Sequence, residues 1–349
     1  MADPVMMQDE LDDQRRRIDV DNYTITVREL LSMAERNELH RAPEYQRKFR
    51  WDEEAESRLI ESLLLGLPVP NIFVATNPDG SWEVVDGLQR VSTLIHFASD
   101  SRPQMDEIGK AQSLSLTRLQ KLTTFNGLTF HGLPTPVQLA FTKRGMGVTA
   151  LSDKSDPQAR FDTFERLNRG SVELSSQEVR ACIYQGKFND LLRELAEYPS
   201  FRSLVKLQKK NEENATREEL VLKFFAYLYG RNQFRGAVKE FLNDFMEDNR
   251  YDFDVDAGRL LFCQVADRLA EVIGGPLLRV NTAVTPQNEL EAVLVATAEV
   301  IGECGDIGSP PASWLDDKEL VSASTGATNT RKKLTERIKR ARDLLTPEV

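Results

Sequence analysis

The stretch that most restricts the fold runs from Asn71 to Phe97, NIFVATNPDGSWEVVDGLQRVSTLIHF. NIFVAT (71–76) reads as a strand, and NPDGS (77–81) reads as a turn by its Pro, Asp and Gly. WEVVD (82–86) reads as the returning strand of a β-hairpin. That strand ends directly in Asp86-Gly87-Leu88-Gln89-Arg90. Val91, Leu94, Ile95 and Ala98 then carry the spacing of a core-facing helix.

A glycine at a strand-to-helix turn lets the backbone come close to a ligand. The first turn of the helix exposes N–H groups without intrahelical partners, and its dipole favours an anion there. Arg90 adds a planar, permanently charged fork suited to phosphate oxygens. Asp86 can hold a divalent metal or orient a water, and Gln89 can assist as a neutral donor and acceptor. These parts describe a phosphate site without saying whose phosphate. Asp-Gly before a helix is also an ordinary turn and cap.

The rest of the chain divides in character. TVRELLSMAER (26–36) has helical spacing, and Asp52 can cap a helix with an apolar stripe at Ala55, Leu59, Ile60, Leu63 and Leu64, stopped by Gly66 and Pro68. HRAPEYQRKFRW (40–51) is extended or irregular before and after Pro43. Residues 100–155 are broken up by Pro103, Pro134, Pro136, Gly145 and Gly147, with SLTRLQKL (115–122) readable as a helix and GLTFHGLP (127–134) as a strand. From Pro157 onward the pattern is helical, and SASTGATNT (322–330) connects to a basic last helix, RKKLTERIKRAR. The expected organisation is an N-terminal arm (1–24), a mixed α/β domain (25–155), a helical domain (156–321), and a connector with a basic helix (322–349). The fold class is α+β.

Charge and cysteine usage narrow the chemistry. The net charge of -10 argues against a protein that coats DNA non-specifically, although Arg331–Arg342 and Arg41–Arg50 are locally basic. Three scattered cysteines with no CxxC pair make a zinc site or disulfide framework an unlikely reading and fit a reducing cytoplasm. No run is long and apolar enough for a membrane helix, and the N-terminus lacks an apolar leader segment.

Two further clusters stand in order around DGLQR. Tyr45, Gln46 and Arg47 precede Trp51 in the irregular segment. Phe164, Asn168, Gly170 and Leu174 precede Glu178 and Arg180, with Ser175 and Glu178 spaced as a capping box. Each alone reads as a basic loop or a helix–turn–helix connection. Together, with Ser92-Thr93-Leu94 after DGLQR, they resemble the N-terminal domain of the GmrSD-type restriction endonucleases, a family with a ParB/sulfiredoxin-like fold. The likeness runs from about residue 25 to about residue 245. The family's first Gln of D-G-Q-Q-R is Leu88 here. If that position contacts nucleotide, activity would be altered; if it faces the core, Leu changes little.

The resemblance implies a nucleotide-binding, NTP-hydrolysing regulatory component of a restriction or phage-defence system, using Mg2+ or another divalent cation. It implies catalytic roles for Asp86, Gln89 and Arg90, with Asp86 as metal ligand. Phosphates would be held by Tyr45, Gln46, Arg47, Gly87, Arg90, Ser92, Thr93, Asn168 and Arg180. Larger family members join this domain to an HNH nuclease, which needs histidines. No His follows His131, so no HNH site is expected in this chain, and a separately encoded effector becomes the expected partner. DNA and a second copy of the chain stay open as further partners. A sulfiredoxin reaction is excluded because no Cys lies near Asp86. Two rival readings remain: a Mg-dependent nuclease using the same site, and a non-catalytic sensor or scaffold binding DNA through its last helix.

Overall fold

The computed structural model describes residues 6–9, 11–12, 19–41, 51–77, 79–167, 175–212, 214–311 and 313–347. The chain forms two units, Met1–Leu174 and Ser175–Val349. The first holds a sheet with helices and the second is helical, so the class is α+β.

In the first unit the elements run β1 (Val20–Thr26), α1 (Val27–Glu35), β2 (Leu39–Arg41), α2 (Glu53–Leu65), β3 (Ile72–Thr76), β4 (Trp82–Asp86), α3 (Leu88–Ala98), α4 (Arg102–Glu107), α5 (Thr135–Thr142), β5 (Gly145–Leu151) and α6 (Pro157–Leu167). The expected hairpin is present as the antiparallel pair β3/β4, and the expected helix follows it as α3. The five-stranded sheet has the order β1-β5-β3-β4-β2, with β5/β3 and β2/β4 parallel. Ile72, Val74, Val84, Met146, Val148 and Ala150 form one apolar core with Val27 and Leu30 of α1, Leu59, Ile60 and Leu63 of α2, and Val91, Leu94 and Ile95 of α3. Each such fully buried aliphatic side chain contributes about 1.5–3 kcal/mol. Asp52 caps α2 as expected, its carboxylate accepting from the Ala55 N–H at 2.8 Å, and Gly66 ends the helix in a left-handed conformation.

The middle of the unit departs from the sequence reading. The stretch with Gly145 and Gly147 is an interior strand, β5, rather than a broken loop. The glycines make room instead of breaking structure. A Cβ at Gly145 would lie 2.7 Å from Thr24 Cγ2, and one at Gly147 would lie 2.2 Å from Asn71 Oδ1. SLTRLQKL is not a helix. Arg118 has φ 52, and the N–H groups of Gln120, Lys121 and Leu122 donate to the Glu61 carboxylate at 3.4, 2.7 and 2.8 Å. Burial opposes ionisation of Glu61, but the three donors outweigh it and hold its carboxyl below the ordinary range. GLTFHGLP contributes a 3-10 turn, Phe130–Gly132, rather than a strand, because Phe130 turns inward against Phe97 and Phe141 at ring distances of 5.7 and 6.0 Å.

The second unit comprises α7 (Ser176–Ile183), α8 (Lys187–Ala196), α9 (Pro199–Leu204), α10 (Lys209–Glu212), α11 (Thr216–Tyr229), α12 (Val238–Asp248), α13 (Val255–Ile273), α14 (Gln287–Cys304), α15 (Lys318–Ser324) and α16 (Arg331–Leu345). Helix α14 is its axis: Leu290 and the run Ala292–Ala296 are inaccessible to solvent. Helix α6, which the sequence groups with the helical region, clusters with the sheet unit. Its Arg160 donates to the Thr76 carbonyl at the end of β3.

Candidate functional site

Asp86 is the last residue of β4. The pairing shifts there: Phe73 lies opposite Asp86 but Val74 lies opposite Val84, so Val85 is an extra residue on β4. Such a bulge bends the strand and re-aims the residue after it. Gly87 then caps α3 with φ 106, a left-handed conformation that L side chains rarely adopt, and no side chain caps the helix. The first-turn N–H groups are left without intrahelical partners.

Arg90 closes over this turn. Its Nη2 donates to Asp86 Oδ2 at 2.7 Å and to the Asn71 carbonyl at 3.0 Å. A Cβ at Gly87 would meet Arg90 Nη2 at 3.0 Å, Arg90 Nε at 3.2 Å and Ile72 Cγ1 at 3.2 Å, so the guanidinium lies directly on the glycine. Arg90 Nε is buried and has no hydrogen-bond partner among the described residues. The Asp86 side chain is 33% exposed and that of Arg90 is 13% exposed, which places the carboxylate at the open side of the pair.

Gln89 does something the sequence does not announce. Its Oε1 accepts the Trp51 backbone N–H at 3.1 Å, tying Trp51 to the DGLQR helix. Leu88, the departure from the family pattern, packs against the apolar core. Leu88 is half-buried there.

Of the other expected phosphate contacts, Ser92 and Thr93 are enclosed at 2% and 0% exposure. The Thr93 hydroxyl donates to the Gln89 carbonyl at 2.8 Å. From Val91 to Phe97 every residue of α3 is buried, so only its first turn is available to a ligand. Arg180 is buried in the second unit, where it donates to Asn243 Oδ1 (2.9 Å), Gln177 Oε1 (3.0 Å) and Glu219 Oε2 (3.1 Å). These contacts hold it within its own helical layer. Tyr45, Gln46, Arg47 and Asn168 lie outside the described residues. The Ser175–Glu178 capping box forms as the spacing predicts.

Asn71 is the residue the motif reading missed. Its carbonyl holds Arg90, and its side-chain amide donates to Thr149 Oγ1 at 3.3 Å. His96 of α3 is a packed imidazole: Nδ1 lies 2.5 Å from Glu56 Oε2 and Nε2 lies 3.0 Å from the Gln112 carbonyl. A cavity of about 310 Å3 opens elsewhere in this unit, among Leu63, Leu122, Phe125, Val137 and Phe141, and holds none of the motif residues.

Three cations of the basic last helix are paired with acids of its own unit. Arg337 bonds Glu291, Arg340 grips Asp317 through two bonds at 2.9 and 2.7 Å, and Arg342 bonds Glu303. Leu334, Ile338 and Leu345 are buried beneath it. That is a packed amphipathic helix whose outer face keeps Arg331, Lys332 and Lys339 exposed.

Among the described residues no group of three or more His, Cys, Asp or Glu side chains is placed to hold a metal ion. One open carboxylate, Asp86, suits a Mg2+ that keeps most of its waters and takes its remaining ligands from phosphates. No helix among the described residues is long and apolar enough to cross a membrane.

Comparison with known families matches residues 27–185 to the model described as GmrSD restriction endonuclease, N-terminal domain. The matched span contains β1's partner elements, the DGLQR turn and the first helix of the second unit. Residues 27–185, a little under half of the chain, are therefore similar to the GmrSD restriction endonuclease N-terminal domain. Neither the comparison with curated proteins nor that with solved structures gave a match.

Proposed function

We propose that this chain binds a nucleoside triphosphate at the Asp86–Arg90 turn and hydrolyses it, as the regulatory component of a restriction or phage-defence system. One observation carries the reading: a permanent cation and an accessible carboxylate meet at an uncapped helix N-terminus behind a left-handed glycine. This is the donor set phosphoryl transfer requires, since that reaction depends on positioning and charge stabilisation rather than on covalent chemistry.

In this reading the Gly87 backbone and the first-turn N–H groups of α3 seat the phosphate chain. Arg90 neutralises charge that develops on the transferred group. Asp86 holds the divalent cation or orients the attacking water. Gln89 holds the Trp51 backbone beside the turn. A divalent cation, where bound, would be held by Asp86 and would supply Lewis-acid stabilisation of the phosphate charge. Nucleotide state would then bias a separately encoded effector.

The test is phosphate release from each NTP with Mg2+, with and without DNA, by the intact chain and by Asp86→Ala and Arg90→Ala. Release that falls by about 10²–10³ in both variants is expected, the loss typical of removing one stabilising charge. The absence of binding and release with every NTP would overturn the proposal.

A further inference from the structure

We propose that the Asp86–Arg90 ion pair is a closed latch that makes nucleotide and divalent cation depend on each other for binding. The inference rests on the preceding reading of the site and concerns how that site opens.

Three observations carry it. The two side chains assigned to the metal and to the phosphates are bonded to each other at 2.7 Å, so neither is free to take its ligand without giving up the other. The Arg90 guanidinium also lies on Gly87, within 3.0–3.2 Å of where a Cβ would stand, so it covers the turn whose N–H groups would receive phosphate. Finally, Arg90 Nε is buried without a hydrogen-bond partner among the described residues, so the closed form leaves one charged donor unsatisfied. An unmade bond of that kind favours a conformation that makes it.

The coupling follows from the donor count. A cation alone would gain one carboxylate, with no second acidic, His or Cys cluster among the described residues to help, and would strand Arg90. A phosphate alone would gain Arg90 but would meet the bare charge of Asp86. A Mg2+–phosphate chelate answers both at once: the carboxylate turns to the cation and the guanidinium swings onto the phosphates. Each ligand removes the obstacle to the other, which is positive linkage between two sites and is reciprocal.

Isothermal titration of the full chain tests this with MgCl2 alone, ATP in EDTA, and ATP with Mg2+. The expected result is no detectable binding of Mg2+ alone, weak binding of ATP alone, and at least tenfold tighter binding of the two together. Asp86→Asn, nearly isosteric, should open the latch: metal-free ATP should bind at least tenfold tighter than to the unaltered chain, and Mg2+ should no longer improve it. Asp52→Asn serves as the charge control. It removes a negative charge beside Trp51 while keeping a capping oxygen, and should change metal-free affinity by less than twofold. The latch is overturned if Asp86→Asn gains no more than Asp52→Asn, or if Mg2+ alone binds the unaltered chain. Either result leaves the nucleotide reading standing when ATP with Mg2+ still binds. If neither ATP nor any other NTP binds under these conditions, both readings fall together.

Discussion

Replacing Gly87 by Ala isolates the feature on which the site is built. Two costs add at this position. An L residue at φ 106 bears a left-handed penalty of about 1–2 kcal/mol. The new methyl would also press on Arg90 Nη2 at 3.0 Å and Ile72 Cγ1 at 3.2 Å. Neither neighbour yields easily, since Arg90 is tethered to Asp86 and Asn71 and Ile72 is fully buried. Overpacking of that kind costs about 1–3 kcal/mol. Gly80 provides the comparison: its φ is 85, but a Cβ there meets nothing within 4 Å. Gly80→Ala should therefore bear only the conformational cost, about 1–2 kcal/mol. In a unit of this size about 1 kcal/mol moves the melting temperature by 2–4 °C. Thermal unfolding should show Gly80→Ala down by about 4 °C and Gly87→Ala by about 9 °C. A nucleotide titration should show at least tenfold weaker binding for Gly87→Ala alone. If the two variants melt together and bind alike, the close approach of Arg90 to the turn is not a feature of the folded protein, and the argument for the site loses its basis.

Other consequences can be checked independently. Gln89→Ala leaves the Trp51 N–H unmatched and should cost about 1 kcal/mol in urea unfolding, while raising KM for nucleotide more than it lowers kcat. Burial pushes the Glu289 carboxyl up from 4.5 to about 7. It therefore contributes stability that is complete below about pH 4.5 and is lost as pH rises through about 7. Glu289→Gln should flatten that window in melts run from pH 4 to 8, with a difference on the order of 3 kcal/mol at the alkaline end. Asp317 has the opposite sign: its bonds to Arg340 hold the carboxyl down at about 2, so its stabilisation is present above about pH 3.8 and fades as pH falls through about 2. Asp317→Asn should lose about 2 kcal/mol at neutral pH and show a shallower acid limb in the same melts.

The parts of the fold that were legible in the sequence are those with local causes. The hairpin, its turn and the helix after DGLQR follow from turn chemistry and apolar spacing, and all three form. The Asp52 cap and the Ser175–Glu178 box were likewise visible as short patterns. What could not be read depends on partners distant in sequence. Strand β5 looks like a broken stretch until Thr24 and Asn71 are seen to press on its glycines. The loop at 118–122 looks helical until Glu61, far back in α2, gathers its N–H groups. The bonds of Arg180 to Asn243 and Glu219 likewise join it to residues far along the chain. Within the site, residue types and order were readable, but the geometry was not. No spacing rule says that Asp86 and Arg90 hold each other, or that Gln89 reaches across to the Trp51 backbone.

The most direct test of the central claim is a crystal structure of the full chain with Mg2+ and a non-hydrolysable ATP analogue. The account predicts phosphate density on the Gly87–Arg90 turn, the Asp86–Arg90 pair parted, and the cation within reach of the Asp86 carboxylate. Nucleotide bound elsewhere, with the Asp86–Arg90 pair still closed, would contradict it.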